Sequence, residues 1–457
     1  MRVGEVSFWM RALGAQPRRA PLPGPLEVDV AIVGAGFTGL WTAYYLARAE
    51  PGLRIAVLER EFAGFGASGR NGGWVSGFLS GPARVYARHG GPRGVAALQR
   101  AMLATVDEVG AVLAAERIDA DWVKGGGVGV ACDGAQAARL GAEVAAAREW
   151  GLGPDDLRLL DADELAARVR VAGARGGTFT PHVARVDPAK LVRGLAAAVE
   201  RRGVAIYEDT AVTEVRPHVA VTARGEVRAR WVVRATEGYT PGLRGAGRTL
   251  VPVNSSMVAT APLGAAVWDE LGWAGRETLH DAAHVYVYAQ RTADDRIALG
   301  GRGVPYRYGS ATDRRGETPA ATIAALRAAL ARLFPAAADA EIAHAWSGVI
   351  GVSRDWCATV DADPRTGLAW AGGYVGRGVA AANLAGRTLR DLILGADSEL
   401  TRLPWVGRRP RAWEPEPLRW LGIRGVYALY RRADAREARS GRPSRLAALA
   451  DRVSGRA

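Results

Sequence analysis

The hydrophobic pattern near the start of the chain predicts a strand, a tight turn, a helix and a second strand in close succession. Residues 28–33 form a short apolar run, and three glycines follow within residues 34–39. Residues 40–50 place apolar side chains at helical spacing, and residues 53–58 form a second apolar run that ends at Glu59. Because these segments together have the size of one βαβ crossover, we expect a parallel sheet.

Later segments alternate between helical and strand-like periods. We expect helices over residues 95–117, 135–149, 189–201, 318–333 and 378–394, and strands or hairpins over residues 122–132, 204–207, 219–235, 284–289 and 296–300. Since βαβ units are mixed with antiparallel hairpins, segments far apart in sequence must return to one parallel sheet. The pattern therefore predicts an α/β fold with two interleaved domains.

A dinucleotide fingerprint of the form GxGxxG occupies the first turn, as Gly34-Ala35-Gly36-Phe37-Thr38-Gly39. Gly34 permits the tight turn, Gly36 lets the backbone approach a pyrophosphate, and Gly39 lets the helix pack closely on the strand. The helix N-terminus adds amide donors and the positive end of its dipole. Glu59 is placed to accept hydrogen bonds from ribose hydroxyls. With strand and helix on either side, the match predicts a dinucleotide site.

A second string, Gly64-Phe65-Gly66-Ala67-Ser68-Gly69, has the same GxGxxG spelling. It follows Ala63 instead of an apolar strand, and it precedes Arg70-Asn71-Gly72-Gly73 instead of a helix. We therefore expect a glycine-rich loop and not a second dinucleotide fold. An enzyme that reduces its own flavin with a nicotinamide usually needs a second fingerprint between strand and helix, and none is found.

Composition excludes a disordered chain and a single small module. The chain has 457 residues, of which 49% are hydrophobic and 23% charged, so it can bury a large core and divide into two or three domains. Its net charge of +13 is unevenly spread. Residues 402–457 hold 14 arginines and five acids, a net of +9, which leaves +4 for the first 401 residues. The body of the protein is therefore nearly neutral.

The basic segment after residue 401 permits three interpretations. Aromatic residues among the arginines would suit peripheral docking on an anionic membrane, and the charge alone would suit nucleic acid. We favour a segment that packs on the enzyme and frays into a solvated arm after Ser440, because Asp434, Glu437 and Asp451 interrupt the arginines. We expect no nucleic-acid partner, and peripheral membrane contact is the less favoured alternative.

Cysteine and histidine usage indicates neither a disulfide framework nor a metal site. Cys132 and Cys357 are the only cysteines and lie far apart, which fits a reducing cytoplasm. No leader peptide and no apolar stretch long enough to span a bilayer is found, so we expect a cytoplasmic protein. His280 and His284 are four residues apart on a strand-like segment, where that spacing does not bring them together, so we expect no metal.

Three separated motifs resemble the FAD-dependent D-amino-acid oxidase superfamily. They are the fingerprint at 34–39, the segment Gly66-Ala67-Ser68-Gly69-Arg70-Asn71-Gly72-Gly73, and the segment Gly372-Gly373-Tyr374-Val375-Gly376-Arg377-Gly378-Val379 followed by Asn383-Leu384-Ala385-Gly386-Arg387. Within that superfamily the chain is most similar to the gamma-glutamylputrescine oxidoreductase branch, over roughly residues 5–400.

The resemblance implies a glutathione-reductase-type FAD-binding Rossmann domain interleaved with a substrate domain built on an antiparallel sheet. We expect an N-terminal arm over 1–27, with order beginning at Val28. The FAD-binding domain would comprise 28–90, 179–250 and 346–400, and the substrate domain 91–178 and 251–345. Residues 401–457 would form a basic C-terminal extension.

The resemblance also implies which residues line the cofactor. They are Gly34, Gly36, Phe37, Thr38, Gly39, Glu59, Arg60, Gly66, Ala67, Ser68, Arg70, Asn71, Gly72, Gly73, Val212, Thr236, Gly373, Gly376, Gly378 and Val379. Some relatives attach flavin covalently through a cysteine, but Gly348 stands at that position here and Cys357 lies nine residues on. We therefore expect non-covalent FAD. Glu237, where relatives often carry Asn, would modulate the flavin edge or a cationic substrate.

The implied reaction is oxidation of a C–N bond in a small amine or amino acid. Hydride would pass to flavin N5, the imine would hydrolyse, and O₂ would reoxidise the flavin to give H₂O₂. The alternative is a flavin dehydrogenase that passes electrons to a quinone or a carrier protein. In either case the cofactor supplies the difficult step, and the protein supplies orientation and desolvation.

Two arginines are candidates for the cation that assists reoxidation by O₂. Arg377 is the first choice and Arg70 the second, since a nearby positive charge stabilises superoxide. The alternative for each is a phosphate contact or a surface ion pair.

Tyr286 and Tyr288 alternate with valines, which puts both rings on one face, where they would form an aromatic wall for an amine. The alternative for them is a core or surface ladder. Arg302, or else Arg354, would bind a substrate carboxylate. Three tryptophans beside the family motifs are candidate pocket walls that equally suit a core: Trp74, Trp346 and Trp356.

Overall fold

The computed structural model describes residues 1–312 and 315–456. The strands are β1 (Arg2–Val3), β2 (Leu26–Val33), β3 (Ile55–Leu58), β4 (Trp74–Ser76), β5 (Gly127–Ala131), β6 (Arg158–Leu160), β7 (Gly176–Thr180), β8 (Val183–Arg185), β9 (Ala205–Tyr207), β10 (Val212–Arg216), β11 (Val219–Thr222), β12 (Gly225–Arg234), β13 (Val251–Thr260), β14 (Thr278–Asp281), β15 (Tyr288–Arg291), β16 (Ile297–Gly301), β17 (Ile342–Val352), β18 (Thr359–Asp363) and β19 (Leu368–Gly372). The helices are α1 (Phe8–Ala12), α2 (Phe37–Ala49), α3 (Ala83–Ala115), α4 (Gly134–Glu149), α5 (Ala162–Ala166), α6 (Pro188–Glu200), α7 (Ala265–Leu271), α8 (Ala320–Leu333), α9 (Gly378–Leu394), α10 (Leu418–Ser440) and α11 (Arg445–Ser454).

The first sheet has a parallel centre in the order β9-β3-β2-β12-β19, to which β10, β11 and β18 add antiparallel neighbours. Val33 at the end of β2 is level with Leu58 of β3 and with Arg234 of β12. The carboxyl ends of these three strands therefore share one edge, the edge at which open α/β sheets bind ligands. Helix α2 leaves this edge and packs against α6 and α9 in the main core.

The second sheet has nine strands in the order β1-β17-β13-β16-β15-β14-β5-β7-β6. Its pairings are antiparallel except for β1 with β17 and β5 with β14. A separate apolar cluster, which includes stacked Trp273 and Phe334, packs against it. Because the chain enters the two sheets alternately, the fold is the interleaved α/β architecture that the sequence predicts. The domain boundaries stay predictions.

The expectation that order begins at Val28 was wrong, because β1, α1 and the first residues of β2 precede it. Strand β1 pairs with β17, and Ser7 caps α1 by accepting the Met10 N–H at 3.1 Å. Trp9 is buried and packs edge-on against Trp346 at 6.0 Å between ring centroids. A helix of five residues is too short to show a helical period, which is why the pattern did not reveal it. Residues 14–25 do run without helix or strand.

The C-terminal extension, residues 401–457, does not fray after Ser440. Gly441 turns the chain with a φ of 65°, and α11 packs back onto α10 with Ala447 and Ala450 buried. The carbonyl of Ser454 then accepts the Trp356 indole N–H at 2.9 Å. Among the described residues, no helix is both long enough and apolar enough to cross a membrane.

Candidate cofactor and substrate site

A cleft opens at the carboxyl edge of the first sheet and encloses about 1180 Å³ of space, counting the solvent at its mouth. Its walls are formed by residues of β2, β3, β10 and β17, by the turn after β12, by the two early glycine strings and by the start of α9. It is lined by Val33, Gly34, Gly36, Phe37, Thr38, Leu58, Glu59, Arg60, Phe65, Gly66, Ala67, Ser68, Asn71, Val212, Ala235, Thr236, Glu237, Tyr239, Gly242, Leu243, Ile350, Tyr374, Gly376, Gly378, Val379 and Ala382.

The turn between β2 and α2 is built around its glycines. Gly34 has a φ of 106°, a conformation that side chains disfavour. A Cβ on Gly39 would lie 2.0 Å from the Gly34 carbonyl oxygen, so α2 can pack here only without one. The Glu59 carboxylate accepts the N–H of Ala35 at 2.8 Å and of Glu61 at 2.9 Å, which fixes it at the cleft.

The second glycine string joins the first at the cleft. The Ser68 hydroxyl accepts the Phe37 N–H at 2.8 Å, so the loop caps the start of α2. A Cβ on Gly66 would approach the Tyr239 ring to 3.1 Å, and the Arg60 guanidinium lies 5.3 Å from the centroid of that ring. This corner of the cleft therefore combines a cation, an aromatic face and exposed loop backbone.

A third wall comes from the segment before α9. Glu237 accepts the N–H groups of Gly373 at 2.9 Å and Tyr374 at 3.1 Å, and it also accepts the Gly351 N–H. Burial raises the pKa of Glu237 to about 7 against the opposing effect of these backbone donors. Glu237 therefore holds the late glycine segment through its backbone N–H groups, and its expected effect on the flavin edge or on a cationic substrate stays a prediction.

Fifteen of the predicted cofactor residues line this one cleft, and five lie behind its walls. Gly39 and Gly73 are packed against backbone, and the Gly72 Cα faces the Tyr288 ring. Gly373 donates its N–H to Glu237. Arg70 is buried and donates to the carbonyls of Phe65 at 2.7 Å and Ser347 at 3.3 Å, so it braces the loop against β17.

The hairpin tyrosines meet the aromatic residues that follow the second glycine string. The ring centroids of Tyr286 and Tyr288 are 6.3 Å apart, and Trp74 contacts Tyr288 edge-on at 6.0 Å. His280 completes the group at 6.4 Å from Tyr286. The Tyr288 hydroxyl is hydrogen-bonded to Ser255 at 2.9 Å. The two rings thus share one face, as their alternation predicts, in a continuous aromatic wall.

The expected hairpin strand begins at Tyr288 and not at His284. The N–H groups of His284 and Val285 donate to the Asp434 carboxylate at 2.8 and 3.0 Å. Because a side chain from the C-terminal extension takes these donors, the segment cannot extend the ladder here.

Arg302 lies between this aromatic wall and the late glycine segment. Its guanidinium donates to the Tyr286 hydroxyl at 3.4 Å and would stand 3.7 Å from a Cβ on Gly376. Burial by itself would raise the pKa of the Tyr286 phenol, but Arg302, Arg377 and Arg456 outweigh burial and hold that pKa below its ordinary value. This end of the cleft is therefore electropositive.

Arg377 caps α9 from an exposed position, where it donates to the Leu79 carbonyl at 2.7 Å. Arg354, the alternative to Arg302 as a ligand for a substrate carboxylate, does not face the pocket. It is paired with Glu414 at 3.1 Å and lies over the Trp413 ring. Trp346 is fully buried and belongs to the core, and its indole N–H donates to the Arg70 carbonyl.

The sequence reasoning missed several residues that line the cleft. Tyr239 and Ile350 stand outside every motif, so no local pattern marks them. Tyr374 lies inside the third motif and could have been proposed from it, and its hydroxyl contacts that of Thr38 at 3.0 Å.

The cleft fits an FAD molecule by the chemistry of its donors. Loop backbone and the start of α2 suit a pyrophosphate, and a Cβ on Gly36 would stand 3.0 Å from the Ser68 hydroxyl, so the two glycine strings pack closely at this point. The oriented Glu59 carboxylate suits ribose hydroxyls, and the Arg60–Tyr239 corner offers an aromatic face. The late glycine segment at the start of α9 supplies a second helix N-terminus.

Comparison with known proteins gives the same family. A family model described as FAD dependent oxidoreductase (DAO) matches residues 29–392. The protein named "Probable oxidoreductase OrdL" from Haemophilus influenzae is 30% identical over 396 residues, which cover 83% of this chain and 86% of that protein. Gamma-glutamylputrescine oxidoreductase of Escherichia coli is 29% identical over 405 residues, covering 84% and 89%. The crystal structure of glycine oxidase from Geobacillus kaustophilus superposes with a TM-score of 0.70 at 21% identity, over 84% of this chain and 100% of that one.

The family match covers most of the chain, and the fold match confirms the expected two-sheet architecture. The chain belongs to the DAO family of FAD-dependent oxidoreductases.

Proposed function

We propose that the protein oxidises a C–N bond of a small amine or amino acid and passes the electrons to O₂, with H₂O₂ as product. The observation that supports this most directly is the position of Arg302, which stands beside Gly376 of the cofactor cleft and beside Tyr286 of the aromatic wall. A substrate held there would lie between the wall and the cofactor cleft. Two of the relatives, by their names, act on gamma-glutamylputrescine and on glycine.

The chain's own residues bind, orient and desolvate the substrate in this proposal. Arg302 presents a planar pair of donors that suits a carboxylate. Tyr286 and Tyr288, with Trp74 behind them, exclude water and offer ring faces to an amine. Such a pocket places the reacting carbon without a dedicated acid or base.

When bound, FAD would supply the hydride acceptor for this oxidation. We propose that it is held non-covalently, since Cys357 is fully buried with its thiol against the Pro82 carbonyl at 3.7 Å. Acid denaturation of the purified protein is then expected to release all of its flavin into the supernatant. Flavin that stays with the precipitated chain would contradict this point.

The test is anaerobic mixing of the holoprotein with a panel of amines and amino acids, followed by admission of air. We expect bleaching of the flavin by one substrate class and return of colour with one peroxide per turnover.

Arg302→Leu is expected to raise KM for carboxylate-bearing substrates about a hundredfold, which corresponds to loss of a charged hydrogen-bonded pair. Arg302→Lys is expected to restore part of the affinity. A protein that bleaches but is reoxidised slowly by O₂ would instead be a dehydrogenase with a quinone or carrier-protein acceptor. Failure of every amine to bleach the flavin would refute the proposal.

A further inference from the structure

The C-terminal extension reaches the substrate side of the cleft. Trp413 of this extension donates its indole N–H to the Val352 carbonyl at 2.8 Å. One apolar cluster then joins Trp413, Ile423 and Tyr427 to Ile350, which lines the cleft. The extension is therefore continuous with the wall of the site already described.

Asp434 of α10 fastens the segment immediately before Tyr286. Its two carboxylate oxygens accept the consecutive N–H groups of His284 and Val285 at 2.8 and 3.0 Å. Since a strand partner would otherwise take such donors, the carboxylate substitutes for one and fixes the direction in which Tyr286 leaves the backbone.

A second contact secures the same segment. His284 stacks on the Tyr430 ring at 5.4 Å between centroids, and its Nε2 lies 3.1 Å from the Glu437 carboxylate. The ligand atoms of His284, Asp434 and Glu437 all lie within 4.8 Å of one another, as in a metal site. However, the Arg139 guanidinium approaches His284 at 2.6 Å and Glu437 at 2.5 Å, so an internal cation already pairs with two of the three residues. We therefore interpret the cluster as a structural contact that holds the segment at His284 against α10.

Two side chains of the extension lie next to the walls of the pocket. Tyr427 packs in the apolar cluster that contains Ile350 of the cleft wall and Val375 of the late glycine segment. Arg456 lies 4.8 Å from the centroid of the Trp356 ring and 5.7 Å from that of Tyr430, and its positive charge helps to hold the pKa of Tyr286 below its ordinary value. The extension thus adds an aromatic side chain behind Ile350 and a cation on the side of Tyr286.

We propose that the C-terminal extension is part of the substrate site, with Asp434 as a positioning residue for Tyr286 and Tyr427 as a specificity-determining residue behind Ile350 of the cleft wall. This rests on the proposed function. Because the Arg302 guanidinium stands beside Tyr286, the site so formed favours amines that carry carboxylate groups over amines that carry a second cationic group.

The test compares Asp434→Ala, Asp434→Asn and Tyr427→Ala in the full-length holoprotein. Asp397→Ala serves as the control, since Asp397 is an exposed carboxylate that pairs only with Arg402 among the described residues. Three quantities are measured in each variant: amide hydrogen exchange of a peptide spanning residues 282–287, the dissociation constant of malonate from the flavin spectrum, and KM and kcat for the best amine. Sodium chloride of equal ionic strength replaces malonate in a parallel titration.

In Asp434→Ala we expect faster exchange in that peptide, with KM and the malonate dissociation constant raised about tenfold and kcat within about twofold. Asp434→Asn keeps one acceptor oxygen and should recover part of each change. Tyr427→Ala should raise KM and the malonate constant without faster exchange. The control should match the wild type in all three quantities.

A purely structural extension would give another pattern. In that case Asp434→Ala would speed exchange, or lower flavin content and kcat together, while the malonate constant and KM stayed within about twofold in both Asp434→Ala and Tyr427→Ala, and the proposal would be overturned. If no amine reduces the wild-type flavin, the proposed function fails. Exchange and the malonate titration would still decide the role of the extension.

Discussion

The chain contains two glycine strings with the same GxGxxG spelling, and they fold differently. In the first, Gly36 precedes α2. The tightest contact there lies within the turn itself, because a Cβ on Gly39 would stand 2.0 Å from the Gly34 carbonyl oxygen. In the second, a 3₁₀ turn over Ala67–Gly69 replaces the helix. A Cβ on Gly64 would meet Val192 at 2.4 Å, and one on Gly69 would meet Met10 at 2.2 Å.

The difference shows that two identical GxGxxG patterns can require glycine because of different neighbouring groups. In the first string the tightest contact, that of a Gly39 Cβ, is with backbone five residues away, so this requirement is local and is visible beside an apolar strand. In the second string the tightest contacts, those of Gly64 and Gly69, include side chains of α6 and α1 from distant parts of the sequence. Both strings nevertheless face one cleft, since Ser68 of the second caps the helix that begins after the first.

The largest expected effect is that of Gly39→Ala, which breaks the first string. The added methyl group meets backbone that cannot move without opening the turn, so we expect a loss of about 3 kcal/mol in the free energy of unfolding and loss of most bound FAD. Thermal unfolding and the ratio of flavin to protein absorbance measure the two effects. Gly141→Ala in α4 is the matched control, because a Cβ there meets nothing within 4 Å. That control should be neutral or stabilising by up to about 1 kcal/mol, and an equal loss in both variants would contradict the local explanation.

A smaller effect is expected from Gly69→Ala in the second string. Its Cβ meets the flexible end of Met10 and the Gly64 carbonyl oxygen at 2.4 Å, so we expect a loss of about 1–2 kcal/mol with FAD content retained. In the background of Met10→Ala the same substitution should cost less, since one of the two contacts is gone. Chemical denaturation of the wild type, the two single variants and the double variant gives the coupling free energy between residues 10 and 69. Loss of FAD without loss of stability would show that the second string serves the cofactor directly.

The last effect is a gradual pH dependence of about 1 kcal/mol per pH unit, and it concerns the late glycine segment, which a carboxylate holds as Glu59 holds the first turn. The pKa of Glu237 is raised to about 7 in the folded protein, from an ordinary value near 4.5. The folded chain therefore keeps a proton that the unfolded chain releases, so the stability that Glu237 contributes is fully present below pH 4.5 and is lost as the pH rises toward 7. The loss is at most about 3 kcal/mol. Unfolding of the FAD-free protein between pH 5 and 8 should show this slope, and Glu237→Gln should flatten it. An equal slope in both proteins would assign it to other groups.

The cofactor half of the site could be predicted far better than the substrate half. Backbone turns made by Gly34, Gly36 and Gly376 are encoded within a few residues, so motifs reveal them. The substrate side is assembled from side chains that no spacing connects, such as Tyr286, Arg302 and Tyr427. Arg354 shows the limit clearly, because the sequence offered it as a carboxylate ligand and the structure pairs it with Glu414.

The two ends of the chain gave the clearest differences from expectation. A helix of five residues and a strand of two are too short to have a visible period, so the sequence predicts only an arm before Val28. The end of the chain is predicted to pack on the enzyme and to fray after Ser440. It packs as expected, but the residues beyond Ser440 form α11, where Asp451 accepts the Tyr430 hydroxyl at 2.6 Å.

The sequence by itself determined the α/β class, the dinucleotide fingerprint and the DAO family, because these depend on periodicity and on glycines within short segments. Only the tertiary structure decided which glycines face the cleft and which face α1 and α6. It alone also showed that Glu237 supports the late glycine segment and that the basic extension packs beside the substrate pocket. The physical reason is that burial and side-chain contact join residues hundreds of positions apart, as with the 298 positions between Arg139 and Glu437.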